Sequence, residues 1–86
     1  MNNQTITVTF THPFHDSQLT LDLPPNIRFL DITKLLYENG FLKKKKGGYQ
    51  YIIDEHLCSL GEPIESYAYQ GNTLNVKIHG LLTILA

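Results

Sequence analysis

The residues of this chain best equipped for chemistry are four histidines and one cysteine. His12 and His15 flank Pro13-Phe14, with Asp16 adjacent, and imidazole nitrogens with a carboxylate are ligands that zinc accepts. Zinc sites normally show tighter paired motifs or several thiolates, however, and a turn carrying solvated histidines explains this spacing more simply. His56 and His79 lie far from that turn in sequence. Cys58 stands two residues from His56 and beside Ser59. A thiol turns nucleophilic when a base or a positive environment lowers its pKa, and residues two apart on a strand share a face. No third residue to orient the histidine and no loop to hold an oxyanion accompanies the pair, so Cys58 reads as a small buried hydrophobe. No catalytic residue, cofactor site or metal site is expected, and the chain does not read as an enzyme. Four of the seven positive charges form the run Lys43 to Lys46, followed by Gly47-Gly48. That composition is a loop, either simply solvated or a dock for an acidic partner surface or lipid headgroups.

Composition narrows the setting of these residues. A chain of 86 residues fits one small domain, which at this size buries only about 60–65% of the surface exposed on unfolding. Seven Lys and Arg against eight Asp and Glu give a net charge of −1. Such a balance provides no field for a polyanion and argues against a general nucleic-acid binder. A lone cysteine makes no internal disulfide, and the polar start Met1-Asn2-Asn3-Gln4 does not resemble a secretory signal. The apolar stretch Gly80 to Ala86 is far short of the roughly 20 residues that cross a bilayer. A soluble cytoplasmic protein with no transmembrane segment is expected.

The elements that must position any site follow from periodicity. Residues 5–11 alternate, with Ile6, Val8 and Phe10 on one face and threonines on the other, as a half-buried strand requires. His12 to Ser17 is a turn, after which Leu19, Leu21 and Leu23 alternate with Gln18, Thr20 and Asp22, completing a hairpin. Pro24-Pro25 ends that strand, and Asn26 is placed to cap a helix from Ile27. Phe29, Ile32, Leu35 and Leu36 form its apolar stripe, and Asn39-Gly40 its stop, with Phe41 folding back. Tyr49 to Ile53 reads as a third strand, Asp54-Glu55 as its turn, and Leu57 to Leu60 as a small fourth strand. Thr73 to His79 closes the series, alternating Leu74, Val76 and Ile78 against Asn75, Lys77 and His79. The order predicts an α+β fold: a mixed sheet of four to five strands with one helix across one face. In it the first and last strands lie parallel at the centre.

That order, together with the stretch Ile64-Glu65-Ser66-Tyr67-Ala68-Tyr69-Gln70 and then Asn72-Thr73-Leu74-Asn75-Val76, resembles the ubiquitin-like β-grasp superfamily. The resemblance spans roughly residues 5–79 and includes the stripe Phe29, Ile32, Leu36. It implies that Tyr67 closes a loop through its hydroxyl. Within the superfamily, the size, the segment Tyr49 to Ile53 and the segment Leu57 to Glu62 are similar to the small bacterial YukD/EsaB-type proteins. The implied role is that of an accessory or regulatory component of a type VII secretion system.

Function in this superfamily implies binding by the open sheet face. By strand alignment Ile52 takes the centre of the partner-binding patch, with Phe14 in the first turn and Lys77 and His79 on the last strand. Ile52 is instead a core residue if Tyr51 and Ile53 face outwards. The tail residues Leu81, Leu82, Ile84 and Leu85 complete the candidate partner-binding set. Residues 1–80 then form the domain and 81–86 an apolar tail, which packs on its own sheet, extends the last strand, or joins another subunit as a homo-oligomer. A ubiquitin-like modifier or sulfur carrier needs a terminal Gly-Gly, whereas this sequence ends Leu85-Ala86. A further alternative is a non-catalytic small subunit of a multi-subunit enzyme such as an oxygenase.

Overall fold

A computed structural model describes residues 4–44, 48–68 and 71–80. The strands are β1 (Ile6–Thr11), β2 (Gln18–Leu23), β3 (Tyr49–Ile53), β4 (His56–Leu57) and β5 (Thr73–Gly80). Helix α1 covers Phe29–Glu38, and a 3-10 turn covers Ile64–Tyr67. The strands form one sheet in the order β2-β1-β5-β3-β4. All pairs are antiparallel except β1 with β5, which run parallel from Thr7 beside Thr73 to Thr11 beside Lys77. This is the α+β arrangement that the periodicity predicts, with the first and last strands adjacent in the middle.

One face of the sheet is covered and the other is open. The alternating sets Ile6, Val8, Phe10 and Leu74, Val76, Ile78 are buried with Tyr49, Tyr51 and Ile53 against Phe29, Ile32 and Leu36 of α1. Each such large apolar side chain contributes about 1.5–3 kcal/mol when taken fully out of water. Tyr51 sits at the centre, its ring 5.0 Å from that of Phe29 and 6.4 Å from that of Phe10. Its hydroxyl meets Thr33 Oγ1 at 2.5 Å, and Thr33 in turn donates to the Phe29 carbonyl at 3.0 Å.

The helix ends where the glycine requires and starts later than its sequence suggests. Gly40, at φ 75°, donates to the Tyr37 carbonyl, and Phe41 donates to that of Leu36. This pair of bonds is the Schellman closure that a residue without Cβ permits. At the other end α1 begins at Phe29, its cap position is Arg28, and Asn26 does not cap it. The segment before the helix is held outwards by tertiary bonds: Ile64 donates to Ile27, Glu65 donates to Pro25, and Arg28 bridges Pro63. These bonds to the 3-10 turn keep Arg28 extended, overriding a local cap. The fourth strand is likewise His56–Leu57 and not Leu57 to Leu60. The hairpin turn at Asp54-Glu55 fixes Ile53 opposite His56 and Ile52 opposite Leu57, and the chain then leaves the sheet.

Candidate functional site

The open face is built by the residues that alternate with the core. Rows run across the strands: Asp22, Thr7 and Thr73; then Thr20, Thr9 and Asn75; then Gln18, Thr11, Lys77 and Ile52. Threonine hydroxyls link the strands here, with Thr7 donating to Asp22 at 2.6 Å and Thr9 3.1 Å from Thr20. Ile52 is half-buried on this face, because Tyr51 pairs with core-facing Ile78 while Ile52 pairs with exposed Lys77. His79 is exposed one row on, opposite Gln50.

Ile52 lines a shallow depression of about 300 Å³ with Lys77, Thr11, Gln18 and the carboxylates Asp54 and Glu55. Asp54 and Glu55 have φ of 50° and 67°, as the two central positions of a tight hairpin turn require. Neither is glycine, so the turn carries backbone strain that presents two acidic side chains at the edge of the depression. The arrangement suits recognition of a surface with one apolar contact ringed by hydrogen bonds and charges of both signs.

Phe14 lies elsewhere. It is 55% exposed in the β1–β2 turn and lines a different groove, with His12, His15, Phe41, Lys43 and Lys44. The sequence-predicted residues are thus divided: Ile52 and Lys77 share one depression, His79 neighbours it, and Phe14 belongs to another surface. Leu81, Leu82, Ile84 and Leu85 lie outside the described residues, as do Lys45 and Lys46.

His12 has a structural task in the β1–β2 turn. Its Nδ1 accepts the amides of Phe14 at 3.0 Å and His15 at 3.2 Å, so this nitrogen must lack a proton. Its ring packs edge-on against Phe41, with centroids 5.2 Å apart. Burial and the neighbouring His15 lower the His12 pKa, against a hydrogen bond with the Phe41 backbone that raises it. Cys58 is buried, and burial pushes its thiol up to about 11, the reverse of an activated nucleophile. Among the described residues, no three His, Cys, Asp or Glu side chains gather to hold a metal ion. Tyr67 accepts the Ser59 amide on its hydroxyl at 2.8 Å, closing the loop as the resemblance implies.

Another surface had no signal in the periodicity. Leu30, Leu57 and Leu60 are exposed and line a groove of about 440 Å³ between α1 and the outer edge of β3. Leu30 falls off the helix stripe and Leu57 sits in a strand of two residues, so only their shared exposure in three dimensions reveals the cluster.

No family model matches the sequence, nor does any curated protein. Solved structures do resemble it. The ubiquitin-like domain of yeast Ddi1 superposes with a TM-score of 0.70 at 8% identity, covering 96% of this chain and 96% of that one. The ubiquitin-like domain of Plasmodium falciparum Dsk2 gives 0.64 at 21% identity, over 87% of this chain and 99% of that one. A SUMO mimic that promotes DNA repair gives 0.70 at 12% identity, over 91% and 94%. At such low identity the likeness speaks for architecture, and with the topology above it leads to one conclusion: this chain adopts the ubiquitin-like β-grasp fold.

Proposed function

We propose that this protein is a non-catalytic ubiquitin-like interaction module that works by being bound through its open sheet face. The observation that carries the reading is Ile52, a half-buried apolar side chain set among Lys77, Asp54 and Glu55 on an otherwise polar surface. An apolar contact inside a polar rim is how protein interfaces are built. Lys77 and His79 extend the contact along β5, and the tail residues Leu81, Leu82, Ile84 and Leu85 supply a further contact, on the domain or on a partner. The setting is a bacterial cytoplasm, as an accessory component of a type VII secretion system. The resemblance of the segments Tyr49 to Ile53 and Leu57 to Glu62 to YukD/EsaB-type proteins supports that setting.

The test is affinity capture from cells carrying such a secretion system, using wild type, Ile52→Arg and the helix-surface control Lys34→Glu. Secretion components retained by wild type and Lys34→Glu but lost with Ile52→Arg support the reading. Equal retention by Ile52→Arg sinks it. Recovery of large metal-containing subunits instead makes the protein an enzyme subunit.

A further inference from the structure

The groove that holds Phe14 is assembled from three separate segments. The β1–β2 turn supplies His12, Phe14 and His15, the segment after α1 supplies Phe41, Lys43 and Lys44, and β3 contributes Tyr49. Its volume is about 490 Å³, larger than the depression at Ile52. Each wall is held in place by hydrogen bonds of its own. On one side His12 Nδ1 takes two turn amides, and the His12 amide donates to Ser17 at 3.0 Å. On the other the Tyr49 hydroxyl donates to the Lys43 carbonyl at 2.6 Å, just beyond the Schellman closure. The contact of the His12 ring with Phe41 joins the two walls. A groove held this way needs little ordering when it is filled, which lowers the cost of binding.

The charge on this groove has one sign. Lys43 and Lys44 are exposed at its rim beside the imidazoles of His12 and His15, and no carboxylate is among the described lining residues. Three aromatic residues, Phe14, Phe41 and Tyr49, are also among its lining. A polyanion such as nucleic acid would use the lysines but leave those rings idle, and the net charge of −1 offers it no wider field. A purely apolar segment would leave the ammonium groups without a partner. The chemistry that satisfies both is a short peptide in which carboxylates flank an apolar side chain.

We propose that this groove docks an acidic peptide segment of a partner protein, its apolar residue between Phe14 and Phe41 and its carboxylates on Lys43 and Lys44. The inference rests on the reading of the chain as an interaction module but uses a surface separate from Ile52.

The experiment titrates the full chain, labelled with nitrogen-15, with a synthetic peptide of aspartates around one central leucine. Amide shifts should change at Phe14, His15, Phe41, Lys43 and Lys44. Lys43→Glu/Lys44→Glu, two exposed substitutions that leave the core untouched, should weaken binding at least about tenfold, because both contacts become repulsive. Phe14→Ala should weaken it as well, and Ile52→Arg should leave it unchanged, which separates failure here from failure of the open face. The inference is overturned if millimolar peptide moves no groove amide, or if the charge-reversed variant binds equally well. It is also overturned if a serine in place of the leucine makes no difference, or if anionic vesicles, inorganic phosphate or a DNA oligonucleotide bind the groove as tightly as the peptide.

Discussion

The hydroxyl pair at the centre of the core allows a prediction whose sign is unusual. Tyr51 is fully buried, and its hydroxyl meets Thr33 Oγ1. Thr33 carries a single hydroxyl hydrogen and places it on the Phe29 carbonyl, so Tyr51 is the donor in the Tyr51–Thr33 bond. Thr33→Val keeps the shape of the side chain and removes the acceptor, leaving a buried donor without a partner at a cost of about 1–3 kcal/mol. Tyr51→Phe removes the donor and leaves half-buried Thr33 still bonded to Phe29, so only the net worth of one hydrogen bond is lost, about 0.5–1.5 kcal/mol. In the double variant nothing is orphaned, and the loss should return to about 1 kcal/mol. Adding Tyr51→Phe to Thr33→Val should therefore restore stability. For a domain of this size 1 kcal/mol moves the midpoint by about 4–8 °C, so at about 2 kcal/mol, the middle of its range, the single Thr33→Val variant should melt about 8–16 °C low, and the double about 4–8 °C low. Thermal and urea unfolding followed by circular dichroism measure all four proteins. If the double variant is as unstable as the sum of the singles, or if Thr33→Val costs less than Tyr51→Phe, the assignment of donor and acceptor is wrong.

Other outcomes can be checked on the same material. His12 should titrate below its ordinary 6.5 because burial and His15 disfavour its charged form. The unfolded chain then takes up the proton first, so this residue's contribution to stability is complete above 6.5 and is lost as pH falls through the interval below it. A proton-NMR titration of the histidines tests this, and a His12 midpoint at or above 6.5 would contradict the two amide bonds on Nδ1. Glu55→Gly should stabilise the domain by about 0.5–1 kcal/mol, since relief of the left-handed strain outweighs glycine's extra unfolded freedom; a lower urea midpoint would show that the Glu55 side chain holds the turn. Cys58, with its thiol at about 11, should resist alkylation at mildly alkaline pH until urea unfolds the chain, and rapid labelling of the folded protein would refute its burial.

Much of this architecture was legible because alternation is unambiguous where only one face is apolar. Ile6, Val8 and Phe10 against threonines, and Leu74, Val76 and Ile78 against Asn75, Lys77 and His79, each admit one orientation. Tyr49-Gln50-Tyr51-Ile52-Ile53 does not, because Tyr51, Ile52 and Ile53 are all apolar enough for a core. The parity was decided by register, since pairing Tyr51 with Ile78 commits Ile52 to the face of Lys77. The helix starts at Phe29 and not at Ile27 for a related reason. What prevents Asn26 from capping lies almost forty residues away, in the amides of Ile64 and Glu65. The task of His12 was hidden likewise, because accepting Phe14 and His15 depends on how the turn folds back. Strand alignment groups Phe14 with Ile52, whereas the structure sets Phe14 in a groove with His12 and Phe41, a contact that depends on how the turn folds back.

The parallel pairing of β1 with β5 has a mechanical consequence. Their outer ends, Ile6 and Gly80, lie at opposite ends of the central ladder, so tension applied through them pulls along the strand axes. The hydrogen bonds from Thr7–Thr73 to Thr11–Lys77 are then loaded together, in shear, where a pair of antiparallel neighbours pulled from adjacent ends would open one bond at a time. A protein handled through its ends, as by a translocating motor or an unfoldase, would resist until the whole ladder yields at once. The same domain pulled through the β3–β4 turn would peel from its edge.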